Sequence, residues 1–147
     1  MLQRIQSLYL LLAVVPYVLL FFFPIAEYST QDVMNSFSLL EITNGNSNST
    51  VPLIIAVCML AVTCLVTIFL FKKRPLQIKI TAITLLVHIG FIAAVFYSAD
   101  FIANKLGTIA NYKAGMYIAL IPILFIVLAH RAIRKDEKMV NNTDRLR

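Results

Sequence analysis

Four long apolar runs, separated by polar segments, organise this chain. They extend from about Ile5 to Ile25, Val51 to Phe71, Leu76 to Tyr97 and Gly115 to Arg131. Apolar runs of roughly 18 or more residues with few charges read as helices that cross a bilayer. The pattern predicts an all-α, integral membrane four-helix bundle occupying residues 1–147 as one domain. The first run is longer than a signal-peptide core, and no small-residue cleavage site follows Phe21-Phe-Phe-Pro24, so it reads as a retained span. Pro16 and Pro122 sit inside apolar runs as expected kinks, while Pro24 marks the end of the first span. These two interior prolines also give the first and fourth runs a faint likeness to each other.

The segments between the runs set the connectivity. Lys72-Lys-Arg-Pro75 is so short that spans two and three must form an antiparallel hairpin, with Pro75 in the first turn of the third helix. Residues 26–50 form a polar first outer loop that lacks Lys and Arg. Within it, Ser36 to Ile42 reads as a short strand, Asn44 to Thr50 as a turn-rich stretch, and Asn48-Ser-Thr50 matches the glycosylation acceptor pattern. Residues 98–114 form the second outer loop, either a short amphipathic interfacial helix carrying Ile102, Leu106 and Ile109 or an ordinary loop. After the fourth span the helix is expected to continue into the cytoplasm as far as Val140, in a tail covering 132–147, with a frayed end from Asn141.

Composition and charge sharpen this picture. The chain is 60% hydrophobic, against about 45–50% in ordinary soluble domains, and its mean hydropathy is +0.83. Eleven of the 13 Lys and Arg residues fall on one side of the spans; only Lys105 and Lys113 fall on the other. Positive charge marks the cytoplasmic side, so both termini and the middle link are expected there, facing anionic headgroups. The net charge of +6 is thus a topology signal. No aromatic interleaving or binding motif supports a nucleic-acid partner. Tyr28, Tyr97, Tyr112 and Tyr117 are expected at the outer water–lipid border, with Tyr9 and Phe71 at the inner one.

One polar stripe enters the membrane. Gln77, Thr81, Thr84 and His88 share a face of the third span, and Thr63 and Thr67 share a face of the second. Across the hairpin, Thr67 is level with Thr81, Thr63 with Thr84, and Met59 with His88. The threonine hydroxyls are expected to bond across helices or back to their own carbonyls. His88 is the only ionisable side chain expected near mid-membrane, so His88, Thr84, Thr81, Thr63 and Thr67 form the candidate intramembrane site. His88 reads either as a neutral histidine satisfied within the bundle or as a proton-handling group, although no Asp or Glu lies inside a span to partner it. Cys58 and Cys64, six apart, read as packing residues. Gly90-xxx-Ala94 and Gly115-xxx-Ala119 would permit close helix approach. No phosphate loop, nucleophile elbow, metal cluster or cofactor motif is present, which points away from an enzyme.

Three segments carry a family resemblance: Met1-Leu-Gln-Arg-Ile-Gln-Ser-Leu-Tyr-Leu-Leu-Leu-Ala13, Phe71-Lys-Lys-Arg-Pro-Leu-Gln-Ile-Lys79, and Arg131-Ala-Ile-Arg-Lys-Asp-Glu-Lys-Met-Val140 followed by Asp144-Arg-Leu-Arg147. Together they resemble a family of small four-span membrane proteins of the Bacteroidetes phylum, a domain of unknown function. The resemblance implies a bacterial inner-membrane location and supplies no catalytic residue. Its segments converge on the cytoplasmic face, where Arg4, Gln77, Lys79, Asp136 and Glu137 form a candidate docking surface beside Gln3 and Gln6. The expected role is a non-enzymatic accessory or scaffold subunit bound to another membrane protein; the alternative is a small transporter or proton-coupled carrier using His88. A homo-oligomeric pore is not expected, because no span carries a continuous polar face.

Overall fold

The computed structural model describes residues 2–30, 33–40 and 47–144, and the side chains of these except at 2–4, 30, 33, 47–49, 72 and 140–144. Four helices dominate: α1 (Leu2–Leu19), α2 (Ser47–Phe69), α3 (Arg74–Leu106) and α4 (Ala114–Asp144). They alternate in direction and pack as a ring in the order α1–α2–α3–α4, closed by a long α1–α4 seam. Three of them, over Thr50–Phe69, Arg74–Leu106 and Ala114–Met139, are long and apolar enough to cross a membrane, while the apolar part of α1, Ile5–Leu19, is shorter.

The fold is not all-α. Strands β1 (Ala26–Thr30) and β2 (Val33–Phe37) form an antiparallel hairpin, and β3 (Asn111–Tyr112) joins the other edge of β1, giving the order β2-β1-β3. The sheet caps one end of the bundle. Its first strand follows a two-residue period, with Ala26 and Tyr28 buried and Ser29 exposed. The expected strand at Ser36–Ile42 therefore lies earlier, at Val33–Phe37, and Glu41 and Ile42 fall outside the described residues. The expected turn-rich stretch is helical from Ser47 onward, and residues 44–46 likewise fall outside the description.

The first helix also ends sooner than its apolar run. Past Leu19 the hydrogen bonds tighten, with Phe21 N–H donating to Val18 O at 3.2 Å and Phe22 N–H to Leu19 O at 3.0 Å. Pro24 has no N–H with which to resume the helix. The remaining apolar residues serve the cap instead: Ile25 N–H donates to Phe37 O at 2.7 Å and Ile25 is buried in the core.

At the same end α3 overruns its expected limit at Tyr97 and continues to Leu106. Its buried residues are Gln77, Thr81, Thr84, His88, Phe91, Val95, Ala99 and Ala103, one unbroken stripe at spacings of three and four. The charges Asp100 and Lys105 lie off that stripe and do not interrupt it. The expected interfacial helix over 98–114 is thus the last part of α3. It stops at Gly107, whose φ of 64° and bond to the Ala103 carbonyl make a left-handed C-cap; Thr108 N–H completes it, also on Ala103 O at 3.0 Å. At the opposite, basic end, a 3-10 turn at Leu70–Lys72 links α2 to α3, and α4 runs as helix to Asp144, past the fraying expected at Asn141.

Candidate functional site

His88 lies on the bundle axis and is fully buried. Its Nε2 is 3.1 Å from the carbonyl oxygen of Ala119 on α4. A carbonyl only accepts, so Nε2 carries the proton and donates. That leaves Nδ1 bare, 2.8 Å from the hydroxyl of Tyr17 on α1, which donates to it. One imidazole therefore ties α3 to its neighbour α4 and, across the ring diagonal, to α1. The rings of Tyr17 and His88 meet edge-on with centroids 5.4 Å apart, and Phe91 closes the site from the sheet side at 5.9 Å. Two prolines flank it: Pro16 precedes Tyr17, and Pro122 follows Ala119 by three. Each withholds one helical hydrogen bond from its turn.

The threonines serve a different purpose. Thr63 donates to Leu60 O (2.9 Å), Thr67 to Thr63 O (2.6 Å), Thr81 to Gln77 O (2.7 Å) and Thr84 to Ile80 O (2.9 Å). Each of these bonds stays within its own helix; the α2–α3 bond comes from Gln77, whose Nε2 donates to Thr67 O at 3.1 Å. The structure thus separates the candidate intramembrane set into His88, held by α1 and α4, and four threonines turned back on their own backbones.

Nor are the candidate docking residues gathered on one surface. Gln77 is only 3% exposed, because its amide is drawn into the α2–α3 seam. Gln6 is buried and points at α4, donating to Ala132 O at 3.4 Å. Asp136 pairs with Arg74 at 3.5 Å, tying the end of α4 to the start of α3. Lys79 is exposed, Glu137 is half-buried, and the Arg4 side chain lies outside the described residues.

At the sheet end, Tyr28 is buried and donates to Ala99 O at 3.0 Å, so it is not a border tyrosine; Tyr97 and Tyr117 do remain exposed. Burial pushes the Tyr28 phenol up to about 12, with Tyr112 and Asp100 adding to the effect. Tyr112 is likewise raised, by burial first and then by its 2.8 Å bond to Asp100. Lys113 pairs with Glu27 at 2.9 Å. Gly115 touches the turn between α1 and β1 so closely that a Cβ there would stand 2.6 Å from Pro24 O. Gly90, by contrast, has nothing within 4 Å of such an atom and makes no close approach in this chain. Cys64 is buried and Cys58 exposed; both are free. Among the described residues no cluster of His, Cys, Asp or Glu could hold a metal.

A family model, Domain of unknown function (DUF4293), matches residues 2–146. The chain belongs to the DUF4293 family. No curated protein and no solved structure matches it. Membership in DUF4293 supplies no activity and no site residue, so the chemistry of this member rests on its own geometry.

Tyr17 is the residue that reading the sequence overlooked. A signal for it was present. Tyr17 lies 13 residues from Arg4 and His88 lies 14 from Arg74, so both stand roughly 20 Å along their helices from the basic end. A tyrosine buried at that depth needs a partner for its hydroxyl.

Proposed function

We propose that this protein is a non-enzymatic accessory or scaffold subunit of an assembly in a bacterial inner membrane. All four helices cross the bilayer, the basic end with both termini faces the cytoplasm, and the sheet faces outward. The orientation draws on the 11 basic residues gathered at one end. The observation that carries the functional reading is the state of His88. Both of its ring nitrogens are committed, to Tyr17 on α1 and to Ala119 on α4, so the ring on α3 joins three helices. A carrier needs a group free to exchange partners with its cargo or with protons along a path. Here the sheetward continuation of the stripe is Phe91 and Val95, both buried and apolar. An imidazole so placed acts as a clamp that holds three helices in register, which suits a rigid scaffold.

Two experiments test this reading. First, native membranes are solubilised in mild detergent and the size of the complex containing this chain is measured. A stoichiometric hetero-complex is expected; a bare monomer overturns the proposal. Second, His88→Gln is introduced and the same complex is weighed while ion and solute uptake are followed. Retention of the complex with unchanged uptake is expected; loss of uptake from an intact complex would instead make His88 a transport residue. At the basic end, Asp136→Lys with Glu137→Lys should leave insertion intact and weaken partner recovery, whereas neutralising Lys72, Lys73 and Arg74 should disturb orientation. Full partner recovery by the acid-to-lysine variant would remove these two acids from any docking role.

A further inference from the structure

A groove of about 200 Å³ opens on the outward face of the α2–α3 hairpin, lined by Met59 and Thr63 from α2 and by Ile80, Ile83, Thr84 and Val87 from α3. No other helix covers it; Met59 and Ile83 are 63% and 62% exposed. Its lining is aliphatic in effect. The hydroxyl protons of Thr63 and Thr84 are spent on Leu60 O and Ile80 O, which leaves the threonines no donor to offer an occupant.

The mouth of the groove toward the basic end is charged. Lys79, Ile83 and Val87 follow at i, i+4 and i+8 on one face of α3, so Lys79 stands one turn, about 6 Å, from Ile83. Lys73 lies in the link at the same end, and both lysines are exposed. From Val51 to Val87 the sequence contains no Asp or Glu to neutralise them. Arg74 is paired with Asp136, whereas Lys73 and Lys79 have no ion-pair partner among the described residues.

We propose that this groove seats one acyl chain of an anionic phospholipid, with the headgroup resting on Lys79 and Lys73. The volume suits several methylenes of such a chain, and the two lysines complement the headgroup toward the basic end. A partner helix would find the apolar lining but would have no use for unneutralised lysines at the mouth. The site rests on the reading that these helices lie in a bilayer; it does not depend on the existence of a protein partner.

The chain has no tryptophan, so one introduced indole is the sole reporter of its kind. Met59→Trp places it at the groove, Ile83→Trp repeats the measurement from α3, and Leu11→Trp places it on the exposed face of α1 as a reference for bulk lipid. Each full-length variant is reconstituted in phosphatidylcholine vesicles containing phosphatidylglycerol, with brominated acyl chains on one lipid or the other. At the groove, brominated phosphatidylglycerol should quench with an apparent preference of about fivefold per lysine over brominated phosphatidylcholine. Lys73→Gln with Lys79→Gln should abolish that preference, and Leu11→Trp should show none. Equal quenching by both lipids at the groove, or a preference that survives loss of both lysines, overturns the proposal. Exclusion of both lipids from the groove while Leu11→Trp is quenched also overturns it, and marks a second copy of the chain as the occupant. No quenching at Leu11→Trp would show the chain outside the bilayer, and the membrane reading and this site would fall together. Because the vesicles contain only this chain, failure of the accessory-subunit reading would leave the result intact.

Discussion

The two ends of the bundle are closed by different means. At the sheet end the side-chain links of Tyr28, Tyr112 and Lys113 are joined by backbone-to-backbone stitching that the basic end lacks among the described residues: Ile25 N–H to Phe37 O, Lys113 N–H to Ile25 O and Gly115 N–H to Pro24 O, at 2.7 to 2.9 Å. At the basic end the links between helices run through side chains, namely Gln6 to Ala132 O, Gln77 to Thr67 O and Arg74 to Asp136. Backbone stitching is indifferent to most side chains but intolerant of added volume. Side-chain stitching is the reverse, since it accepts space and fails when a particular amide or charge is removed.

The largest test of that contrast is Gly115→Ala. A single methyl would meet backbone carbonyls at 2.6 and 2.8 Å, and neither is the free end of a side chain. Overpacking of this kind costs about 1–3 kcal/mol, and the upper part of that range is expected because backbone must move. Thermal unfolding in detergent, followed by circular dichroism, measures it. Wild-type stability would mean that the two ends do not differ as described.

Next in size is the axial clamp between the ends. Tyr17→Phe removes one buried hydroxyl and leaves Nδ1 of His88 without its donor. Combined with His88→Leu in a double-mutant cycle, the coupling should be about 0.6 kcal/mol and at most about 1.7, the range found for hydrogen bonds between membrane helices. Zero coupling would remove the clamp. At the basic end, Gln77→Met keeps the volume and deletes one bond to α2, with an expected loss near the same ~0.6 kcal/mol average. A loss above that of Gly115→Ala would invert the comparison.

The last effect is confined to the sheet end and depends on pH. Tyr28 is raised from 10.0 to about 12, so between those values the folded chain holds a proton that the unfolded chain releases. The associated stability is complete below pH 10 and is lost as pH climbs through 12, when the phenolate can no longer donate to Ala99 O. Hydrogen exchange in β1 and β3 should quicken over that interval while the centre of α2 stays protected. Tyr28→Phe should flatten the change; an unchanged profile would detach it from Tyr28.

Much of this architecture was legible because burial and polarity leave a period in the sequence. The α2–α3 hairpin followed from Lys72-Lys-Arg-Pro75, and the inward stripe of α3 from Gln77, Thr81, Thr84 and His88. What escaped shows the limit of reading charge as a boundary. Asp100 and Lys105 look like the end of a span, yet Ala99 and Ala103 keep the stripe in phase beneath them. Hydropathy alone also cannot tell a lipid-facing residue from one buried in a cap, so it extends the first span to Ile25 although the helix ends at Leu19. The sheet was harder still, since its third strand has two residues and exists through pairing with a segment more than 80 positions away. Gln77 carries two expectations, a place in the inward stripe and a place on the docking surface, and its amide bond to Thr67 O decides for the stripe.

In the proposed four-span arrangement the brevity of α1 has a consequence for the surrounding lipid. Its exposed apolar residues run from Ile5 through Leu8, Leu11, Val15 and Val18 to Phe22, a girdle roughly 25 Å tall at helical rise. The neighbouring α4 presents Tyr117 to Leu124 before reaching exposed Arg131. On the opposite side α2 is apolar and exposed from Val51 to Phe71, about 30 Å, and α3 presents apolar residues between its exposed charges Lys79 and Asp100, also about 30 Å. The hydrocarbon core of a bilayer is close to 30 Å thick. A body with a short girdle on one flank and a tall one on the other is a wedge in thickness. Either the bilayer thins beside the α1–α4 seam or the whole bundle tilts until the mismatch is shared, and both responses would draw shorter-chain lipids to that seam.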